Sequence, residues 1–193
     1  MAREEILLAA AQIFRRKGFH GASMQDIADA VGLQKATLYH HVHSKQEILL
    51  ALLDRALDLL IADMEEISAQ DGSAAEKLRR AIRSYLTRLA EQADLASVLL
   101  LEYRSLEPEL RRRHISRRDK FESIWRRLLR QGMDRGEFRV VDERIAGAAL
   151  LGVQNWSITW FRPNGRLSTA ELADQFADLL LRGLQAGGAG RRR

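Results

Sequence analysis

One stretch, Ser23 to Lys45, restricts the folding of this chain more than any other; it reads SMQDIADAVGLQKATLYHHVHSK. Ser23 is an N-cap residue whose hydroxyl can take up an orphan amide of a first helical turn, and Ile27, Ala28 and Val31 then share one face of a short helix. Gly32 ends that helix, because glycine takes the positive φ of a tight reversal without a steric penalty. The helical pattern resumes from Lys35 to Val42, with Leu38 and Val42 four apart on one face. Two short helices about a glycine turn form either a helix-turn-helix or the αα-hairpin of an ordinary helical protein. The side chains favour the first. Leu33 to Lys45 holds no acidic residue and carries Lys35 and Lys45. It offers Gln34, Thr37, Tyr39, His40, His41 and His43 as hydrogen-bonding groups, as a helix entering a DNA major groove requires.

Two short helices cannot bury enough surface alone, so the flanking segments must supply a core. Arg3 to Lys17 repeats Ile6, Ala10, Ile13 and Phe14 at helical spacing and is expected to stop at Gly18, with Phe14 and Phe19 as core anchors. Ser44 and Glu47 form a capping-box pattern ahead of a helix from about Lys45 to about Ile67, long enough to join two halves of a molecule. Further helices are expected over Ala74 to about Gln92 and from about Asp94, where ADLASVLLLEYRS is apolar all round. A helix starting at Pro108 is expected to close at Gly132, followed by one over Asp142 to Phe161. The last is capped by Ser168 or Thr169. The expected fold is therefore all-α, with about nine helices. Residues 1–45 are expected to form a three-helix DNA-binding domain, 46–186 a larger helical domain, for which ligand binding and dimerisation are implied by a family resemblance, and 187–193 a flexible basic tail.

Composition narrows the function. The formal charge of +5 suits a polyanion partner. Cysteine is absent, which excludes a thiolate nucleophile and a cysteine-based zinc site. His40 and His43 lie three apart on a helix face but lack a third ligand at suitable spacing, and no phosphate-binding glycine loop precedes a helix. No enzyme, metal or cofactor is expected. The N-terminus lacks a secretory pattern and no apolar run reaches membrane-spanning length, so a cytoplasmic protein without a membrane partner is expected.

The run from Gly18, GFHGASMQDIADAVGLQKATLYHHVHSKQEIL, resembles the DNA-binding signature of TetR-family transcriptional repressors almost throughout. Beyond the first quarter of the chain the likeness rests on helix number and order. The resemblance implies a homodimer built through the last two helices, about 142–161 and 169–184. It also implies a palindromic double-stranded DNA operator and a small-molecule inducer held by the middle helices. By residue, Lys35 and Thr37 match positions that approach bases or backbone, and His41 matches a further contacting position. Tyr39, Lys45 and Ser23 match phosphate contacts. Gln34 and His40 complete the expected DNA-facing set.

A second resemblance lies further on. RQGMDRGEFRV followed by NWSITWFRPNGRLSTAEL is similar to repressors of fatty-acid, steroid or aromatic-acid degradation whose inducers are acyl-coenzyme A (acyl-CoA) thioesters. That likeness implies Leu99, Tyr103, Phe121, Trp125, Trp156 and Trp160 as contacts of an acyl group, and Arg117 and Arg118 as partners of the anionic nucleotide. The same tryptophans also suit plain core or dimer contacts. Three other readings stay open: a repressor answering a drug or other hydrophobic molecule, an architectural DNA binder indifferent to sequence, and an adaptor that binds only protein.

Overall fold

The structure, a computed structural model, describes residues 3–185. The basic tail expected at 187–193 lies outside the described residues. Nine α-helices make up the regular structure among the described residues. They are α1 (Arg3–Gly21), α2 (Met24–Ala30), α3 (Lys35–Leu38), α4 (Lys45–Ala69), α5 (Ala74–Glu91), α6 (Ala93–Ser97), α7 (Pro108–Asp134), α8 (Glu143–Trp160) and α9 (Thr169–Leu184). The expected all-α fold of about nine helices is what the chain adopts.

Two compact units divide these helices, and both α4 and α7 contribute to each. The first comprises the residues up to Leu59 with Gln92–Asp119. In it α1 packs against α2 and α6, and α2 against α3. Ile6, Ile13, Phe14, Ile27, Leu38, Val42, Ile48 and Leu52 are buried, at the positions where the sequence repeats apolar residues. Gly18, at φ 72°, breaks the regular path of α1, which takes up one more turn to Gly21 instead of stopping. Phe14 and Phe19 meet edge to face across that break, ring centroids 5.4 Å apart.

The second unit comprises Leu60–Glu91 and the residues from Lys120 onward. Here α5 packs on α9 and α8, burying Leu78, Ile82, Leu86, Leu150, Leu172 and Leu181. Ion pairs from Arg79 to Asp178 and from Arg83 to Asp174 join α5 to α9 at the surface. The expected closure of α7 at Gly132 is corrected, since the helix runs on to Asp134 and reverses at Gly136, whose φ is 70°. Gly132 serves another purpose. A Cβ there would stand 2.1 Å from the Phe138 ring, so glycine is needed for the buried phenylalanine to fold back onto the helix. The Arg139 amide then donates to the Leu184 carbonyl at 2.8 Å, tying the connector to the end of α9.

Two helices are shorter than their periodicity predicts. α3 is regular only to Leu38, after which tighter bonds from the His40 amide to Thr37 O and from the His41 amide to Leu38 O carry the chain to Val42. The apolar run after Asp94 gives only the five residues of α6, then a π-helical turn over Val98–Glu102 and a 3-10 turn over Tyr103–Ser105.

Candidate functional site

The candidate nucleic-acid interface begins with the reversal between α2 and α3. Ser23 caps α2 by accepting from the Asp26 amide at 3.1 Å, and Asp26 in turn accepts from the Ser23 amide at 2.8 Å. The Lys17 ammonium, helped by the amide and hydroxyl of Ser23, holds the Asp26 carboxyl down at about 2. At the other end the Leu33 amide reaches back to Ala28 O and the Gly32 amide to Asp29 O, a Schellman closure around Gly32 at φ 66°. Both ends of α2 are thus satisfied by the chain itself. α3 leaves the turn at a defined angle, anchored beneath by buried Leu38 and Val42.

Above that anchor the side chains of Gln34, Lys35, Thr37, Tyr39, His40 and His41 are all exposed. Tyr39, 42% exposed, is an aromatic held out of the core although Leu38 beside it is wholly buried. Ser23 and Lys45 differ from this group. The Ser23 hydroxyl also donates to Asp26 at 2.9 Å. The Lys45 ammonium donates to Phe19 O at 2.7 Å and Ala22 O at 2.6 Å, and lies 4.5 Å from the centre of the Phe19 ring. Lys45 therefore clasps the end of α1, with one of its three ammonium protons left over.

The residues expected to meet an effector fall into three groups. In the first unit, Tyr103 collects two guanidinium groups: Arg118 stands 4.7 Å from its ring centre, and Arg104 donates from Nε to the phenol oxygen at 3.0 Å. The Arg104 bond pulls the Tyr103 pKa below its ordinary value, and Arg118 adds to this against the opposing effect of burial. Arg117 is committed elsewhere, paired with Asp58 and with Asp54, the latter at 3.4 Å. Leu99 is buried in the π-helical turn.

In the second unit Phe121 and Trp125 come together with Tyr85, which stacks on Phe121 at 5.7 Å and meets Trp125 edge-on at 6.1 Å. Trp156 and Trp160 do not join them. They stand 67% and 48% exposed on α8, where Trp160 packs edge-on against Phe161 and Phe176.

A model described as bacterial regulatory proteins, tetR family, matches residues 6–52, and one described as tetracyclin repressor-like, C-terminal domain, matches residues 71–184. The chain belongs to the TetR family. The TetR-family regulator PfmR from Thermus thermophilus is 41% identical over 94% of this chain and 99% of its own, with a TM-score of 0.86. The transcriptional repressor KstR2 of Mycobacterium tuberculosis is 28% identical over 96% of this chain and 94% of its own. AibR, solved in complex with isovaleryl coenzyme A and operator DNA, is 28% identical over 95% of this chain and 97% of its own, with a TM-score of 0.84. The second resemblance read from the sequence, to the acyl-CoA-responsive group of TetR regulators, is thereby supported. The family and these relatives are regulators of transcription rather than enzymes.

Arg104, Tyr85 and His114 escaped the sequence reading of this TetR-family chain. Arg104 gave no signal, since one arginine among many looks like solvated surface. Tyr85 lies at helical spacing on the buried face of α5, and its place beside Phe121 depends on how α5 packs. His114 did leave a trace: it lies four residues from both Leu110 and Arg118, on the inward stripe of an otherwise arginine-rich helix. It is completely buried.

Proposed function

We propose that this chain is a transcriptional repressor that binds a palindromic operator as a homodimer and leaves it when a hydrophobic effector, an acyl-CoA thioester, is bound. The reading head is assigned to residues 1–45, and effector binding and pairing to 46–186. The observation that carries this reading is the exposed, acid-free row from Gln34 to His41 on a turn that the Gly32 and Leu33 amides close onto α2. Such a row can exchange water for base edges and phosphates without disturbing its own scaffold. Lys35, Thr37 and His41 are assigned to the groove, Gln34 and His40 to its margins, and Tyr39 to phosphate. Ser23 and the remaining proton of Lys45 are assigned to the flanking backbone.

Pairing is assigned to α8 and α9. Ile145, Val153, Trp156, Trp160 and Leu179 are exposed there, between 39% and 69%, among the small residues Ala148, Ala149 and Gly152. Beside them Ile145, Ala149, Leu179, Leu180 and Gly183 line a groove of ≈ 430 Å³. Small residues let a second copy's helices approach, and large ones give them something to bury. Trp156 and Trp160 are therefore assigned to the partner copy rather than to the effector.

The thioester reading is supported by AibR, whose solved complex holds isovaleryl coenzyme A. The planar forks of Arg104 and Arg118 at Tyr103, all in the first unit, suit an anionic nucleotide. Arg117, neutralised by two carboxylates, is withdrawn from that role. To relieve repression, the effector must favour the DNA-incompetent state, since equal affinity for both states shifts nothing. The test is a mobility-shift titration on a two-fold duplex recovered by binding selection with the full-length protein, with acyl-CoA thioesters, free acids and hydrophobic drugs added in turn. Release by thioesters alone is expected. A monomer with no preference for any two-fold duplex overturns the whole reading, and release by drugs alone overturns its effector.

A further inference from the structure

His114 has no part in the function described so far, yet its surroundings are specific. It is 0% exposed, and its Nδ1 lies 3.2 Å from Asp54 Oδ1. Asp54 is held in turn by Arg117, whose Nε stands 3.4 Å from Oδ2, and Arg117 also pairs with Asp58. A carboxylate can only accept, so Nδ1 carries the proton, and in the neutral ring Nε2 presents a lone pair. That nitrogen is buried and has no hydrogen-bond partner among the described protein groups. A buried acceptor left unpaired is destabilising, whereas a leucine or phenylalanine at the same place would carry no such penalty. The Asp54 contact fixes which nitrogen points onward, as an orienting carboxylate does for a histidine ligand.

We propose that His114 Nε2 is the hydrogen-bond acceptor that docks a donor group of the effector, an amide N–H or a hydroxyl. The inference rests on the thioester reading above and deepens it, because a coenzyme A thioester offers both sources. Its pantetheine arm carries amide N–H groups whatever the acyl chain, and a hydroxylated acyl chain carries an O–H. Either donor completes the chain Arg117, Asp54, His114, ligand, in which every member then has its partner. Asp54 and Arg117 act as positioning residues: they hold the ring and its tautomer and do not touch the ligand.

The test is calorimetric titration of the full-length protein with two coenzyme A thioesters, a saturated acyl group and the same group bearing a 3-hydroxyl. Wild type is compared with His114→Asn and His114→Phe. Asparagine keeps an amide donor towards Asp54 but has no acceptor where Nε2 stood, and phenylalanine fills the volume with no polar atom. Both variants are expected to keep the wild-type circular dichroism spectrum and to lose about tenfold or more in affinity. An equal loss for the two thioesters assigns the donor to the pantetheine amides, and a loss confined to the hydroxylated one assigns it to the acyl hydroxyl; either supports the proposal. Undiminished binding by both variants overturns it. So does loss of the folded spectrum in both, which would make His114 a scaffold residue. If wild type binds neither thioester, the thioester reading itself fails and takes this inference with it.

Discussion

Lys35 on α3 and Arg117 on α7 are both cations on helices of the first unit, yet their surroundings are opposite. Lys35 is exposed and has no carboxylate partner among the described residues. Arg117 is held between Asp54 and Asp58. The contrast extends along both helices. No acid lies within the α3 segment, while on α7 Arg112 pairs with Glu109, Lys120 with Glu65, Arg126 with Glu122 and Arg130 with Glu143. The chain's surplus of +5 therefore does not by itself mark the proposed DNA site, since several cations of its most arginine-rich helix are paired with the protein's own carboxylates. A phosphate partner is met where cations are left unpaired on a rigid support.

The contrast can be broken most severely at Lys45, which belongs to both sides of it. Lys45→Ala removes two charge-assisted bonds to Phe19 O and Ala22 O and is expected to destabilise the protein by about 3 kcal/mol, read as a lower denaturation midpoint. An unchanged midpoint with weaker operator binding would instead make Lys45 purely a phosphate contact. A matched pair sharpens the comparison at intermediate size. Lys35→Ala is expected to change the preferred operator sequence in a binding selection, with about 1–3 kcal/mol less discrimination at one base, and to leave stability alone. Arg117→Ala is expected to do the reverse, costing at most about 1 kcal/mol of stability while operator preference and salt dependence stay as they were.

The smallest expected effect is a pH dependence. Arg88 donates to Asp63 through Nε at 2.6 Å and Nη2 at 2.8 Å, and this holds the Asp63 carboxyl below its ordinary 3.8. A depressed carboxylate stabilises the fold fully above its unfolded pKa and loses that contribution as pH falls through the folded one. Arg88→Ala should therefore flatten the decline in melting temperature between about pH 5 and 3. An identical acid limb in the variant would remove the pair from the account of acid stability.

Much of this molecule is legible from local pattern because helices are local objects. The caps at Ser23 and Ser168, the turn at Gly32 and the start of α7 at Pro108 each follow from a few adjacent residues. Where pattern is ambiguous, reading along the chain falls short. The apolar run after Asp94 winds into α, π and 3-10 turns in succession, and Gly132, which looks like a helix stop, is a space for Phe138. The exposure of the proposed DNA-facing row is readable for the same reason as the caps: it lies on one short segment, and its members need only be polar.

By itself, then, the sequence determined the all-α class and the helix order and pointed to the proposed reading head, since each depends on chemistry within a few turns of one helix. Only the tertiary structure decided which arginines are already spent on carboxylates, that Trp156 and Trp160 face outward while Trp125 is enclosed, and that His114 is buried with one nitrogen satisfied and the other not. Those facts depend on neighbours far apart in the chain, such as Asp54 for His114, and helical spacing carries no information about what stands opposite a side chain.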